Sequence, residues 1–372
     1  MGTGIIGILL HQLPYQFSGL YELSIIFFLL NVVIFVSLLI ANIIQYTVWP
    51  EMWGMMLSHP MQSLYLGAMP IGLSTIVVMI IYVGVPISNG FLIFAQVLFW
   101  IDVVLAVVIC IGVTFIMYSF FLRPMSNFRM IVHEQSIDKL TAVWLIPVVA
   151  PIIAAATGGE LCTVLDSRST LAASYALWGI GVPFAGSVLV LYIHRLTVYK
   201  LPPNEVSVST FLPIGPLGQG GAGIIQLGIV AEQMNFPYAT NLRAIGVFLG
   251  LLMWGYAILW TVFAVLTIGY RFPRISFSMA WWGFVFPLGT FALCSGLLGK
   301  ELELPFFKIL GTIVTVCVVL LWFLVAFKTT IEAWKGELFY APCLGPIVPL
   351  PPVSADVASD VVPEPPSDQS SG

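Results

Sequence analysis

The sequence predicts an all-α, polytopic membrane protein with ten transmembrane helices, arranged as five helical hairpins around a central pore. Of the 372 residues, 59% are hydrophobic and only 8% are charged, whereas about 25% of the residues of an average soluble domain are charged. Apolar runs long enough to cross a bilayer recur along the chain, and Pro and Gly are concentrated in alternate runs. These observations exclude a soluble globular protein.

Nine apolar runs meet or approach the roughly 20 residues that a transmembrane helix needs. They cover residues 21–46, 63–83, 91–120, 141–157, 170–194, 207–231, 243–268, 277–298 and 306–328. Residues 1–12 form a tenth apolar piece that is too short to span, and Pro14 and Gly19 predict a turn after it. We expect this piece to be a first helix that is truncated at its N-terminus.

Lys and Arg are distributed unequally between the two sets of loops. If residues 1–12 run outward, one set of loops together with the C-terminal tail holds nine of the 13 Lys and Arg: Arg123, Arg129, Lys139, Arg195, Lys200, Arg271, Arg274, Lys328 and Lys335. The positive-inside rule places this set in the cytoplasm. Both termini are then cytoplasmic, which requires an even number of helices. Ten helices satisfy this condition and nine do not.

Prolines in alternate runs indicate an internal repeat. Pro70, Pro147, Pro213 and Pro287 are separated by 77, 66 and 74 residues, and the glycines at the start of the chain continue the series. Five hairpins, each with a Pro- and Gly-rich helix followed by a smooth one, explain the spacing. We expect the Pro- and Gly-rich helices to be broken within the membrane and to surround a pore. Close helix packing is the alternative explanation.

Two regions of different character divide the chain. The transmembrane transporter domain is predicted over residues 1–335. Residues 340–372 are rich in Pro, Ser and acidic residues, which is typical of a disordered tail, here on the cytoplasmic side. The tail suggests a function of another class, that of a membrane signalling or scaffold protein that recruits partners.

Ionisable residues are rare inside the predicted spans, and Asp102 is the clear exception. A carboxyl group in the bilayer suggests proton coupling, and a structural hydrogen bond to a neighbouring helix is the alternative. The sequence shows no nucleophile–base pair, phosphate loop or metal-ligand spacing. We therefore expect no enzyme activity, no cofactor, no metal and no nucleic-acid partner.

The Pro- and Gly-rich helices offer a solute small polar side chains and backbone N–H groups. The expected path residues are Thr3, Gly67, Pro70, Ser74, Pro147, Pro151, Pro213, Gly215, Gln219, Gly283, Pro287 and Thr290. Half-helix N-termini favour anions, and no Lys or Arg lies in mid-span to hold an anion tightly. A cation path usually carries rings of Asp or Glu, and we find none. The pattern favours a weakly held small anion or a neutral polar solute.

Five segments resemble the tellurite-resistance and dicarboxylate transporter family, which includes slow anion channels. They are MGTGI (1–5), HPMQSLYLGAMPIGLSTI (59–76), WLIPVVAPIIAAATGG (144–159), FLPIGPLGQGGAGI (211–224) and WWGFVFPLGT (281–290). The resemblance extends to about residue 335, and its fungal sulfite efflux branch is the most similar. It implies ten helices in five hairpins around a pore, a homotrimer, and a pore gate at Phe286.

The same resemblance implies a function. It suggests export of sulfite or bisulfite across the plasma membrane of a fungus, past Phe286, which would detoxify sulfite. A permease for C4-dicarboxylates such as malate is the alternative within the family. A doubly charged substrate should need a cationic clamp, and the predicted spans contain none.

Overall fold

The fold is described by a computed structural model that covers residues 1–118, 137–271, 275 and 277–336. Within these ranges the chain forms α-helices with short 3-10 and π-helical segments, and no β-strand. The α-helices are α1 (Gly2–Gln12), α2 (Leu20–Val48), α3 (Glu51–Ser58), α4 (Ala68–Met79), α5 (Asn89–Tyr118), α6 (Leu145–Leu161), α7 (Arg168–Tyr199), α8 (Ile214–Gln233), α9 (Ala239–Arg271), α10 (Val285–Glu301) and α11 (Pro305–Lys335). The predicted tail, residues 340–372, lies outside the described residues.

Nine helical segments of the described chain are long and apolar enough to cross a membrane. They coincide with the nine apolar runs of the sequence, so these predictions are confirmed and the protein is a multi-pass membrane protein. Helix α1 has 11 residues and packs against α2, α4 and α10. Gly19 precedes α2 with a φ of 96°, a left-handed conformation that glycine adopts without a steric cost.

Buried and exposed helices alternate along the chain. The spans that contain α4, α6, α8 and α10 bury between 72% and 94% of their most apolar stretch, whereas those of α2, α5, α7, α9 and α11 bury between 17% and 33%. We call α1, α4, α6, α8 and α10 the inner helices, and α2, α5, α7, α9 and α11 the outer helices. The Pro- and Gly-rich runs are the inner helices, as predicted, and the outer helices expose apolar side chains that suit contact with lipid.

The four regularly spaced prolines lie at the starts of the inner α-helices, and Pro151 lies inside α6. Pro70, Pro147 and Pro287 occupy the third position of α4, α6 and α10, and Pro213 directly precedes α8. Proline fits the first turn because an N–H group has no helical acceptor there. A 3-10 segment precedes each start: Ser63–Gly67, Ala142–Trp144, Asn204–Phe211 and Met279–Phe284. The prediction of open breaks is therefore wrong: α4, α6 and α10 directly follow their 3-10 segments, and two turn residues join Asn204–Phe211 to α8.

Glycines allow the inner helices to approach each other closely. A Cβ atom on Gly218 of α8 would lie 2.7 Å from the Phe291 backbone nitrogen of α10. A Cβ atom on Gly67 would lie 2.7 Å from the carbonyl oxygen of Ile146. Real Cβ atoms do not approach backbone atoms to these distances, so close packing explains these glycines.

An ion-pair cluster joins the ends of two inner helices. Arg243, near the start of α9, contacts Glu232 of α8, and its Nε atom lies 2.9 Å from a carboxylate oxygen of Glu301 in α10. The arginine thus links the C-terminal ends of α8 and α10. Both helices contribute to the cavity described next.

Candidate functional site

A cavity of about 40 Å³ lies between the inner helices. All five inner helices or their extensions contribute to its wall, and among the described residues no outer helix does so. Its polar lining residues are Gln12, Ser74, Thr75, Tyr82, Thr157, Glu160, Gln219 and Gln226. A cavity that holds one water has a volume of about 10–15 Å³. The central cavity therefore has room for a few waters or one small polyatomic anion.

A second, smaller cavity of about 30 Å³ lies at the N-terminal ends of the inner helices. Its lining residues are apolar: Met1, Ile71, Leu145, Ile146, Val149, Leu212, Gly215, Gly283, Phe286 and Pro287. On each inner helix the residues at this apolar cavity precede those at the central cavity, apart from the shared Phe286. The inner helices therefore run parallel, from the apolar cavity to the central one.

Phe286 is the one described residue that lines both cavities. It occupies the second position of α10 and is 5% exposed. The start of α10 is held by Thr290, whose hydroxyl donates to the Pro287 carbonyl at 2.8 Å and lies 3.4 Å from the Gly215 carbonyl of α8. The aromatic ring thus belongs to the partition between the two cavities.

A polar cluster occupies the far end of the central cavity, which we call the glutamate cluster: His11, Gln12, Tyr82, Glu160 and Lys300. The Gln12 side-chain amide donates to the Tyr82 hydroxyl, and both side chains hydrogen-bond the Glu160 carboxyl group. The imidazole of His11 stacks on the Tyr82 ring, with centroids 4.6 Å apart. Lys300, at the end of α10, interacts electrostatically with Glu160.

Tyr82 enters this cluster from a π-helical turn, Ile80–Gly84, that follows α4. A π-helical turn widens the helix and is frequent at functional sites. Glu160 lies in the last turn of α6 and keeps partial exposure because it lines the cavity. Glu160 lies beyond the predicted span of residues 141–157, and this single carboxyl group does not form the ring that a cation path usually carries.

Two carboxamides of α8 face the central cavity. Gln219 and Gln226 are seven residues apart, which is close to two helical turns and places them about 10 Å apart on one face. Gln219 is 9% exposed, and its Oε1 atom has no hydrogen-bond partner among the described residues. Each carboxamide carries two N–H donors and one carbonyl acceptor. This face of α8 can therefore both donate hydrogen bonds to a solute and accept them from it.

Asp102 lies on outer helix α5 and is fully buried behind the central cavity. The Ser74 hydroxyl donates to its Oδ2 atom, and its Oδ1 atom has no partner among the described residues. Ser74 itself lines the cavity. Asp102 is therefore connected to the cavity through Ser74 and does not line it.

The other predicted path residues occupy several environments. Gln219 and Ser74 line the central cavity, and Gly215, Gly283 and Pro287 line the apolar one. The remainder lie at helix starts, inside helices or at helix contacts, outside both linings: Thr3, Gly67, Pro70, Pro147, Pro151, Pro213 and Thr290. The Thr3 hydroxyl, for example, accepts a hydrogen bond of 3.2 Å from the Trp322 indole.

Sequence reasoning missed Glu160, Tyr82 and Gln12 as cavity residues. The predicted span ended at residue 157, one turn before Glu160, because hydropathy falls there. The usable signal was a single carboxylate that directly follows an apolar, Gly-rich helix. A helix that continues by one turn carries that carboxylate into the end of the cavity.

Comparison with known proteins relates the chain to transporters. The model of the voltage-dependent anion channel family matches residues 1–330. A sulfite efflux pump of Trichophyton rubrum and one of Arthroderma benhamiae are each 40% identical over 352 residues, which cover 91% of this chain and 90% of the relative. The malic acid transport protein of Schizosaccharomyces pombe is 20% identical over 355 residues, which cover 91% of this chain and 78% of the relative.

Proposed function

This chain belongs to the voltage-dependent anion channel family, and we propose that it exports sulfite or bisulfite across the plasma membrane. The observation that carries the proposal is the 40% identity to sulfite efflux pumps over nine-tenths of both chains. Identity to the malic acid transport protein is half as high. Sulfite export would give a cell resistance to sulfite.

We propose a ten-helix arrangement for the transport path, in which α1 joins the nine spans to complete five hairpins. The five parallel inner helices surround the path, and each is followed by an outer helix. The positive-inside count supports a cytoplasmic position for both termini, and the apolar cavity at the N-terminal ends of the inner helices would lie on that side. The membrane potential, negative inside, then favours exit of an anion. A homotrimer stays a prediction from the family resemblance.

Weak binding suits an anion path. The parallel inner helices direct the positive ends of their dipoles toward the side of the molecule that holds the apolar cavity, which favours an anion on that side. No Lys or Arg is among the described lining residues of either cavity. An anion would thus be attracted without being trapped, which rapid transport requires.

The proposed gate is Phe286. An aromatic side chain between two small cavities blocks passage by its volume and by excluding water. Its presence in both linings supports the role. Transport would require the ring to rotate or α10 to shift.

Dicarboxylate transport is the rival within the family. A malate dianion carries two separated charges and should need paired cations, and the described cavity linings carry none. The geometry thus favours the smaller substrate. A signalling function would depend on the tail, residues 340–372. These residues lie outside the described ranges, so this function stays a prediction.

The test compares sulfite and malate transport in the same cells. The full chain is expressed in sulfite-sensitive cells, with an empty plasmid as control, and efflux of both compounds is measured. We expect sulfite tolerance and efflux to rise with unchanged malate flux, and deletion of residues 340–372 to preserve both effects. Malate flux without sulfite efflux would favour the dicarboxylate permease. Loss of every effect on tail deletion would favour the signalling function.

A further inference from the structure

The wall of the central cavity carries hydrogen-bond acceptors, which an anion without a hydrogen atom cannot use. Glu160 contributes a carboxyl group, and the described lining itself contains no Lys or Arg; Lys300 acts on Glu160 from outside this lining. The Gln219 Oε1 atom is buried without a partner among the described residues. A buried acceptor without a donor is unfavourable. The cavity is therefore best filled by a solute that donates a hydrogen bond.

The same wall also carries donors for anionic oxygens. The side-chain amide nitrogens of Gln219 and Gln226 supply N–H groups, and Thr157 supplies a hydroxyl. An anion with both a hydroxyl group and free oxygens can use the donors and the acceptors together. A dianion without hydrogen can use the donors only.

We propose that the transported species is a monoanion that retains an O–H group, and that Glu160 and Gln219 determine this specificity. The inference rests on the proposed function, and for sulfur(IV) it names bisulfite instead of the sulfite dianion. The O–H group would donate to Gln219 Oε1 or to the Glu160 carboxyl group. The remaining oxygens would accept from the amide groups of α8.

Charge adds to this selection. At a given distance a carboxylate repels a dianion twice as strongly as a monoanion, and the effect is larger in a partly buried site than in water. Lys300 is the one cation that acts on Glu160 in the glutamate cluster, and it lines a neighbouring cavity with Gln12. One lysine compensates one glutamate but leaves no excess positive charge for a dianion.

The surroundings hold the Glu160 side chain in place. Tyr82 and Gln12 hydrogen-bond it from the π-helical turn and from α1, and His11 supports Tyr82 by stacking. From α8, the neutral Gln226 lines the cavity beside it. The ionisable groups that any pH profile must consider are therefore Glu160, His11, Tyr82 and Lys300.

The experiment measures initial fluxes of sulfur(IV), nitrate and sulfate from proteoliposomes that contain the full chain. Sulfur(IV) flux is followed over the pH range in which bisulfite gives way to sulfite. We expect wild-type flux to fall with the bisulfite share as pH rises, and sulfate to be excluded. Glu160→Gln should raise the sulfate-to-nitrate flux ratio about tenfold. Gln219→Leu should lower the preference for bisulfite over nitrate about tenfold.

Glu303→Gln is the matched control, because Glu303 is exposed and lines none of the cavities described. It should change neither ratio. Wild-type flux that rises with pH, or unchanged ratios in both cavity variants, would overturn the inference while leaving sulfite export intact. No sulfur(IV) flux at any pH would instead overturn the proposed function. If Glu160→Gln is not recovered folded, the flux ratio of Gln219→Leu and the wild-type pH profile test the inference.

Discussion

The inner and outer helices of this protein are built from similar apolar residues and differ in what surrounds them. Along α6 nearly every residue is buried, including Ala, Gly and Pro, whereas α2 exposes Ile, Leu and Val along most of its length. In a bilayer, lipid is as apolar as leucine, so hydrophobicity alone does not separate inside from outside. The difference shows that small residues and polar groups identify the inner helices.

The largest expected effect comes from adding volume to an inner glycine. Gly218→Val would place side-chain atoms against the backbone of α10, since even a Cβ atom lies 2.7 Å from the Phe291 nitrogen. Overpacking of this kind costs about 3 kcal/mol at the upper end of its usual range. We expect the yield of monodisperse protein after detergent extraction to fall severalfold, as measured by size-exclusion chromatography.

The outer-helix control is Gly179→Val on α7, where a Cβ atom meets nothing within 4 Å. Its yield should match that of the wild type. Equal losses in the two variants would show that the inner and outer helices do not differ in packing tolerance. Equal recovery would show that α8 and α10 can separate at little cost.

The next largest expected effect is on anion conductance, and it compares the loss of Phe286 with the loss of an exposed phenylalanine. Phe286→Ala removes the ring that lines both cavities, and we expect anion conductance to rise about tenfold, which corresponds to about 1.4 kcal/mol of barrier. The measurement is whole-cell current in a sulfite or nitrate solution. Phe306→Ala on α11 is the control, because that side chain is 61% exposed. Equal currents in all three proteins would assign Phe286 to packing.

The smallest effect concerns Asp102, an outer-helix residue that reaches the cavity through Ser74. Asp102→Asn preserves an acceptor for the Ser74 hydroxyl, so a structural role predicts sulfite flux within about twofold of wild type and an unchanged response to a proton gradient. The measurement is sulfite flux from proteoliposomes with and without that gradient. Ser74→Ala removes the donor and serves as the paired variant. Loss of the gradient response in Asp102→Asn alone would favour proton coupling.

Hydropathy and spacing predicted much of the fold and less of the site. The nine spans, the turn at Gly19 and the inner position of the Pro- and Gly-rich helices follow from apolar runs and special residues. The prolines suggest breaks, because the sequence does not show that 3-10 segments lead into α4, α6, α8 and α10. The sequence points to Asp102, which lies inside an apolar run, and not to Glu160, which follows the end of another run.

The sequence by itself determined the membrane class, the order of the spans and the family, because these depend on properties summed over segments of about 20 residues. Only the tertiary structure decided which side chains meet in a cavity. Neighbouring residues of a helix point in directions about 100° apart, so a change in rotation or helix type redirects a side chain without altering hydropathy. That is why Tyr82 and Glu160 line the central cavity while Asp102 lies behind it.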